Sequence, residues 1–186
     1  ITANAERCRE LVEHSIGLVT ALNPYIGYEN ATRIAKLALD SGRGVLELVR
    51  EEGLLDEPLY EGIADLLRAL HAGGWSLAVA TGKSRRGLDR VLDETGLRPL
   101  FAATRGADEA NSKPDPLMLT QILDELGITP HQAVMIGDSI HDMAMAEALA
   151  MPRIGVSWGV HDRARLLAHH PLAVVDTMAE LQRLLS

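Results

Sequence analysis

Val134-Met-Ile-Gly-Asp-Ser-Ile-His-Asp142 is the stretch from which the fold of this chain is most directly predicted. Its apolar half is typical of a short strand that ends at Gly137, and its polar half places Asp138 and Asp142 directly behind that strand. Open α/β sheets carry their chemistry at the carboxyl ends of strands, so the stretch indicates such a sheet. Because the two acids are one helical turn apart, a helix beginning here would direct both carboxylates to the same side.

Outward from this stretch, residues 58–186 alternate between helical and strand-like segments. The predicted strands are Trp75–Ala80, Phe101–Thr104, Ala133–Ile136, Arg153–Ser157 and Leu172–Val175. A helix is predicted before the first strand and after each strand, with Asp115 and Asp176 as caps of two of these helices. Such alternation favours right-handed βαβ units. We therefore predict an α/β fold with a parallel sheet and helices on both faces.

Residues 1–57 differ from the rest, because their apolar residues recur only at helical spacing and no run alternates as a strand would. One helix is predicted around residues 5–19, a second over Tyr28–Leu39 and a short third around Val45–Val49. We therefore predict an all-helical segment over residues 1–57, followed by the α/β domain over residues 58–186.

The composition argues against several classes of partner. The 186 residues carry a net charge of −8 at pH 7, which disfavours nucleic acid and anionic membranes as partners. A small anionic ligand remains compatible, because lysine side chains and helix N-termini can bind one locally. No apolar run approaches the roughly 20 residues that span a bilayer, and residues 1–10 are too polar for a signal peptide. The single cysteine, Cys8, excludes an internal disulfide and fits a cytoplasmic location.

A loop after the first predicted strand could bind phosphate. Thr81 follows the apolar residues Leu77–Ala80, and Gly82 and Lys83 open the next predicted helix. The Thr81 hydroxyl and the N–H groups of Gly82 and Lys83 can together hold a phosphate oxygen. The alternative is that Thr81 is an ordinary helix N-cap.

A lysine and two acids could complete a site beside this loop. Lys113 lies in Ser112-Lys-Pro-Asp-Pro116, where its ammonium could neutralise a phosphoryl group and a nearby carboxylate. Asp138 could offer a carboxylate oxygen to Mg²⁺, with Asp142 one helical turn later. The alternatives are a solvated surface lysine, and acids that merely favour the N-terminal end of a helix dipole.

Three ordered motifs resemble the haloacid dehalogenase superfamily of phosphohydrolases, and within it the phosphoglycolate-phosphatase-like branch. The motifs are Ala78-Val-Ala-Thr-Gly-Lys-Ser84, Ser112-Lys-Pro-Asp-Pro116 and Gly137-Asp-Ser-Ile-His-Asp142. The resemblance implies a Rossmann-like sheet and a Mg²⁺-dependent phosphatase of small phosphate esters. By the same resemblance Thr81 binds the transferred phosphoryl group and Lys113 neutralises it. Asp138 binds Mg²⁺ and Asp142 supports the metal through water or hydrogen bonds.

The chain departs from this family at one decisive place. The family begins with a strand ending in Asp-x-Asp-Gly-Thr, whose first Asp attacks phosphorus and whose second is general acid and base. Residues 1–57 contain no apolar strand with that ending. In the family the missing strand lies in mid-sheet, between the strands that precede Thr81 and Asp138. Since an unpaired buried backbone group costs roughly 1–3 kcal/mol, those two strands must pair directly, another segment or chain must fill the gap, or the fold must change there.

Residues 1–57 resemble a different family, the C-terminal tail of class II fumarase from the fumarase/aspartase superfamily. The resemblance is carried by Ile1–Glu10 and by Ser15–Lys36, including Asn23-Pro-Tyr-Ile-Gly-Tyr-Glu-Asn-Ala-Thr-Arg-Ile-Ala35. The catalytic loop and histidine of that superfamily lie upstream of this tail. The resemblance therefore implies a helical packing module without lyase activity.

The leading hypothesis is thus a haloacid-dehalogenase-like phosphatase of small phosphate esters that is impaired because it lacks the nucleophilic aspartate. A second hypothesis is a non-catalytic fusion protein with a binding or structural role. A third is a fumarase-related lyase fragment that works only within a larger assembly. Neither the oligomeric state nor the identity of the substrate follows from the sequence.

Overall fold

The computed structural model describes residues 28–52, 54 and 59–185, and these form eight α-helices and five β-strands. The helices are α1 (Tyr28–Ser41), α2 (Val45–Glu51), α3 (Ile63–Ala72), α4 (Arg85–Glu94), α5 (Leu117–Leu126), α6 (Ile140–Ala148), α7 (Arg163–Leu167) and α8 (Met178–Leu185). The strands are β1 (Leu77–Ala80), β2 (Phe101–Arg105), β3 (Met135–Gly137), β4 (Arg153–Val156) and β5 (Ala173–Val175). None of the described helices is long and apolar enough to cross a membrane.

The predicted α/β fold is confirmed, with strand ends that differ by one or two residues from those expected. The helix expected around residues 5–19 lies outside the described part of the chain. One predicted cap is wrong: the N–H of Glu180 in α8 donates to the hydroxyl of Thr177, not to Asp176. The carboxylate of Asp176 is instead bound by Ser157 and Arg163. Pro116, not Asp115, directly precedes α5, although the carboxylate of Asp115 accepts from the N–H of Leu117 at the start of that helix.

The strands form two parallel sheets rather than the single sheet that was predicted. One sheet pairs β1 with β2, and the other has the order β3-β4-β5. Among the described residues β1 and β3 do not pair. The gap left by the missing strand is therefore not closed there by direct pairing of these two strands, which was the first of the three expected possibilities. The break therefore falls at the position that the family's first strand would occupy.

Helices cover both faces of the strands and join the two sheets. A hydrophobic cluster of α5 and α6 (Met118, Leu119, Leu123, Met145 and Ala146) packs against Ala80 of β1 and Met135 of β3. A second cluster, from α3 and α8, packs against Ile136 of β3 and the buried residues of β4 and β5. Met135 contacts the first cluster and Ile136 contacts the second. Because neighbouring residues of a strand point to opposite faces, the two clusters lie on opposite sides of β3.

The helices α1 and α2 have a hydrophobic core of their own. It consists of Ala31, Ile34, Ala38, Val45, Leu48, Val49 and Leu54. Ion pairs of Arg33 with Glu52, and of Arg43 with Glu47 and Glu51, surround it. This separate core agrees with the prediction that the N-terminal part of the chain is helical.

Candidate active site

Lys113 brings the ends of the two sheets together. Its Nζ donates to the carbonyl oxygen of Ala80 at 2.9 Å and to Oδ1 of Asp142 at 2.6 Å. Ala80 is the last residue of β1, and Asp142 lies in the first turn of α6, directly after β3. The carboxyl ends of β1 and β3 therefore meet at one edge, where Lys113 contacts both of them.

Asp142 is held on both carboxylate oxygens. Its side chain is only 6% exposed. Oδ1 binds Lys113, while Oδ2 accepts from the hydroxyl of Ser139 at 2.7 Å and from the Ser139 N–H at 3.2 Å. Ser139 in turn caps α6 by accepting from the N–H of Asp142. With both oxygens occupied, Asp142 can support a metal through hydrogen bonds rather than by direct coordination, and this role stays a prediction.

A glycine makes room for Asp142. A Cβ added to Gly137 would lie 2.8 Å from Cγ and 2.9 Å from Oδ2 of Asp142, and closer still to its Cβ. Real Cβ atoms essentially never approach other heavy atoms that closely. The glycine that ends β3 thus allows α6 to begin against the strand and to present Asp142 to Lys113.

Asp138 is the residue best placed to bind a cation. It is half-buried at the end of β3, and its Oδ2 accepts from the N–H of Val160 at 3.0 Å. Within the described residues, Oδ1 has no hydrogen-bond partner and remains able to bind a ligand. Mg²⁺ keeps several water ligands and needs only one or two carboxylates. One free carboxylate oxygen therefore fits Mg²⁺, although no three His, Cys, Asp or Glu side chains among residues 28–52, 54 and 59–185 converge on a metal site.

The predicted phosphate loop lies where β1 meets α4. The N–H of Thr81 donates to the carbonyl of Arg105 at 3.0 Å, and its Oγ1 accepts from the N–H of Lys83 at 3.2 Å. Thr81 is not the helix cap that the alternative proposed, because Ser84 caps α4 by accepting from Gly87. Gly82 is exposed, with no heavy atom within 4 Å of the position of an added Cβ. The loop thus offers an open backbone at the start of a helix, which suits an anion.

The end of α2 lies against this loop. The N–H of Ser84 donates to the carbonyl of Glu51 at 2.8 Å, and Nζ of Lys83 donates to the carbonyl of Arg50 at 3.1 Å. These bonds satisfy carbonyl groups that the last turn of a helix leaves without an intrahelical partner. A phosphate group would therefore share or replace a contact that Lys83 already makes with α2.

Two histidines lie beside Asp138. The Nδ1 of His161 accepts from the N–H of Ile140 at 3.3 Å, and the N–H of His161 donates to the carbonyl of Asp138 at 3.0 Å. Burial, followed by the nearby Arg165 and His141, lowers the pKa of His161 below its ordinary value. His141 is exposed, and its ring meets that of His161 edge to face with the ring centroids 6.1 Å apart.

Sequence reasoning missed several residues that shape this edge. Ser139 was detectable, because a serine three residues before an acid is typical of a capping box. The contacts of Val160 and His161 with Asp138 were not, because more than 20 residues separate the partners in sequence. Only the neighbouring positions of β3 and β4 in the sheet bring them together.

Comparisons with known proteins relate the chain to a family of hydrolases. A sequence model of haloacid dehalogenase-like hydrolases matches residues 6–149. The phosphoglycolate phosphatase of Salmonella paratyphi A is 31% identical over 154 residues, covering 82% of this chain and 59% of the relative. The structure of a HAD-superfamily hydrolase from Geobacter sulfurreducens superposes with a TM-score of 0.59 at 26% identity, covering 84% of this chain and 70% of that one.

A second relationship concerns only part of the chain. Aspartate ammonia-lyase of Pseudomonas fluorescens is 82% identical over 63 residues, which are 34% of this chain but 13% of the lyase. The predicted resemblance to the fumarase/aspartase superfamily is therefore confirmed. The chain spans 13% of this lyase and about three fifths of the phosphatase above. Since the hydrolase model matches most of the sequence, the chain belongs to the haloacid dehalogenase-like hydrolases and includes a segment akin to aspartate ammonia-lyase.

Proposed function

We propose that the chain is a phosphatase-type protein that binds small phosphate esters with Mg²⁺ and turns them over poorly. The observation that carries this proposal is the position of Lys113, whose ammonium joins the end of β1 to Asp142 at the edge where β3 ends. An ammonium held there could neutralise a phosphate bound between the two strand ends. The reaction class is supported by the relatives named as phosphatases.

Each predicted site residue has a role in this proposal. Thr81, Gly82 and Lys83 bind phosphate oxygens through a hydroxyl, backbone N–H groups and an ammonium. Lys113 balances the charge of the phosphate. Asp138 coordinates Mg²⁺, which when bound would neutralise and orient the phosphate. Asp142 keeps Lys113 in place.

The impairment follows from the chemistry that the chain lacks. Phosphoryl transfer to the protein needs a carboxylate that can attack phosphorus, and residues 1–57 contain no apolar strand ending in Asp-x-Asp. Asp142 is poorly placed to take over this role, because Lys113 and Ser139 hold its carboxylate and its side chain is only 6% exposed. Asp138 is assigned to Mg²⁺ in this proposal and is not proposed as the nucleophile. Ligand binding is therefore expected to survive better than turnover.

The expected partners and location follow from the same reasoning. We propose a small phosphorylated molecule as the only partner class, without nucleic acid or membrane, because the net charge of −8 disfavours both. A cytoplasmic location is proposed from the single cysteine.

A second candidate is a non-catalytic fusion. It is favoured by the contact of α2 with the phosphate loop, in which the ammonium of Lys83 donates a hydrogen bond to the carbonyl of Arg50. It is also favoured by the 63-residue identity with aspartate ammonia-lyase. In a related version the chain is a lyase fragment that acts only within a larger assembly.

The deciding experiment measures binding and turnover separately. The wild-type chain, Asp138→Ala and the surface control Arg68→Met are assayed with p-nitrophenyl phosphate and Mg²⁺, and phosphate binding is followed by calorimetry. We expect phosphate binding in the wild type and the control, with slow turnover that Asp138→Ala abolishes. A wild-type chain that neither binds phosphate nor shows turnover would eliminate the phosphatase proposal. Hydration of fumarate or deamination of aspartate would support the lyase version instead.

A further inference from the structure

The loop after β4 contains a glycine that lies directly against Asp138. β4 is the neighbour of β3, so the loop Ser157-Trp-Gly-Val160 leaves the sheet beside the end of β3. A Cβ added to Gly159 would lie 2.5 Å from Cγ of Asp138 and closer still to its Oδ2 and Cβ. The side chain of Asp138 therefore occupies the space that any other residue at position 159 would need.

The need for glycine at position 159 comes from this contact and not from the backbone conformation. The φ angle of Gly159 lies outside the left-handed region, so the backbone would accept an alanine. All three of the nearest atoms to the added Cβ belong to the side chain of Asp138. The effect of a substitution at Gly159 should thus depend on whether Asp138 is present.

The same loop orients Asp138 with hydrogen bonds. The N–H of Val160 donates to Oδ2 at 3.0 Å, and the N–H of His161 donates to the main-chain carbonyl of Asp138 at 3.0 Å. Val160 as a residue is 72% exposed, and it is its backbone N–H that binds Asp138. With Oδ2 engaged, Oδ1 is the carboxylate oxygen that has no hydrogen-bond partner among the described residues.

We propose that Gly159 is a positioning residue, which lets the carboxylate of Asp138 lie against the loop after β4 and leaves Oδ1 ready for Mg²⁺. The metal part of this inference rests on the proposed function, while the positioning of Asp138 does not. Groups that orient a ligating carboxylate commonly change metal affinity by about 10–100-fold when they are altered. Gly159 and the Val160 N–H are such groups, although neither would touch the metal.

The positioning is tested first without metal, by a double-mutant cycle. Urea unfolding is measured for the wild type, Gly159→Ala, Asp138→Gly and the double variant, with Arg68→Met as a surface control. Glycine is chosen at position 138 because an alanine would keep the Cβ atom that a new Cβ at position 159 overlaps. Because overpacking is destabilising, Gly159→Ala should lower the urea midpoint by about 1 M in the wild type. In the Asp138→Gly background the same substitution should change it by less than a third of that, because the side chain that the new Cβ would overlap is gone. Equal losses in both backgrounds would overturn the inference.

The metal part is tested with Mg²⁺ alone, by calorimetry on the same variants. We expect the Mg²⁺ affinity of Gly159→Ala to fall about 10–100-fold, that of Arg68→Met to match the wild type, and that of Asp138→Gly to be lost. An unchanged affinity in Gly159→Ala would refute a role in metal binding even if the cycle shows coupling. A wild type that binds no Mg²⁺ would refute the metal site of the proposed function, while the metal-free cycle still decides whether Gly159 positions Asp138.

Discussion

Replacing Lys113 by methionine tests the contact on which the site depends. The substitution keeps a side chain of similar length but removes the ammonium that bridges Ala80 and Asp142. The carboxylate of Asp142 would then keep Ser139 as its partner but lose its counter-charge, in a place where its side chain is 6% exposed.

The expected loss follows from this burial. Breaking a buried ion pair by removing one partner costs about 3–5 kcal/mol, because it leaves an uncompensated charge. The side chain of Lys113 is 18% exposed and the N–O distance is 2.6 Å, so the pair belongs to this class. Domain stabilities lie at about 5–15 kcal/mol. Lys113→Met should therefore remove a large part of the free energy of unfolding.

Urea unfolding followed by circular dichroism measures this loss. With slopes of about 1–3 kcal/mol per M of urea, the midpoint should fall by at least about 1 M. Arg68→Met is the matched control, because Arg68 meets Asp65 at 3.3 Å on the surface, where their side chains are 56% and 89% exposed. Removing such a pair should cost no more than about 0.5 kcal/mol.

A second variant distinguishes the cost of leaving the Asp142 charge unpaired from the cost of disturbing the packing at position 113. Lys113→Met combined with Asp142→Asn removes both charges, so it should be more stable than Lys113→Met alone. The reasoning is refuted if Lys113→Met costs less than about 1 kcal/mol, as expected for an exposed pair, or if the second substitution adds to the loss.

Three further predictions concern other parts of the structure. Gly137→Ala should cost about 1–3 kcal/mol, because the new Cβ would overlap Asp142, whereas Gly82→Ala should stay within about 0.5 kcal/mol; urea unfolding compares the two. Acidification should destabilise the protein through His161, whose pKa burial lowers from 6.5. Below pH 6.5 the unfolded chain binds more protons than the folded one, so this contribution to stability is complete above pH 6.5 and is lost as the pH falls through the lowered pKa. His161→Gln should reduce this dependence in unfolding curves measured above and below pH 6.5. Thr177→Ala should cost about 1 kcal/mol by removing the cap of α8, measured by thermal unfolding.

Local patterns predicted the elements well because their causes are local. The apolar spacing of Ile63–Ala72 and the glycines that follow it define α3 within a residue or two. The cap of α8 shows the limit of such reasoning. Asp176 and Thr177 are both acceptable caps by residue type, and the choice depends on Ser157 and Arg163, which bind the carboxylate of Asp176 from elsewhere in the fold.

By itself the sequence determined the α/β alternation, the order of the motifs and the lack of an Asp-x-Asp pattern in the printed residues, because periodicity, turn residues and motif spacing are properties of contiguous residues. Only the tertiary structure decided that β1 and β3 lie in separate sheets among the described residues. It also decided that Lys113 joins their ends and that Asp138 rests on Gly159. The physical reason is that these contacts join residues from about 20 to more than 30 positions apart, and their energies depend on burial that no local pattern records.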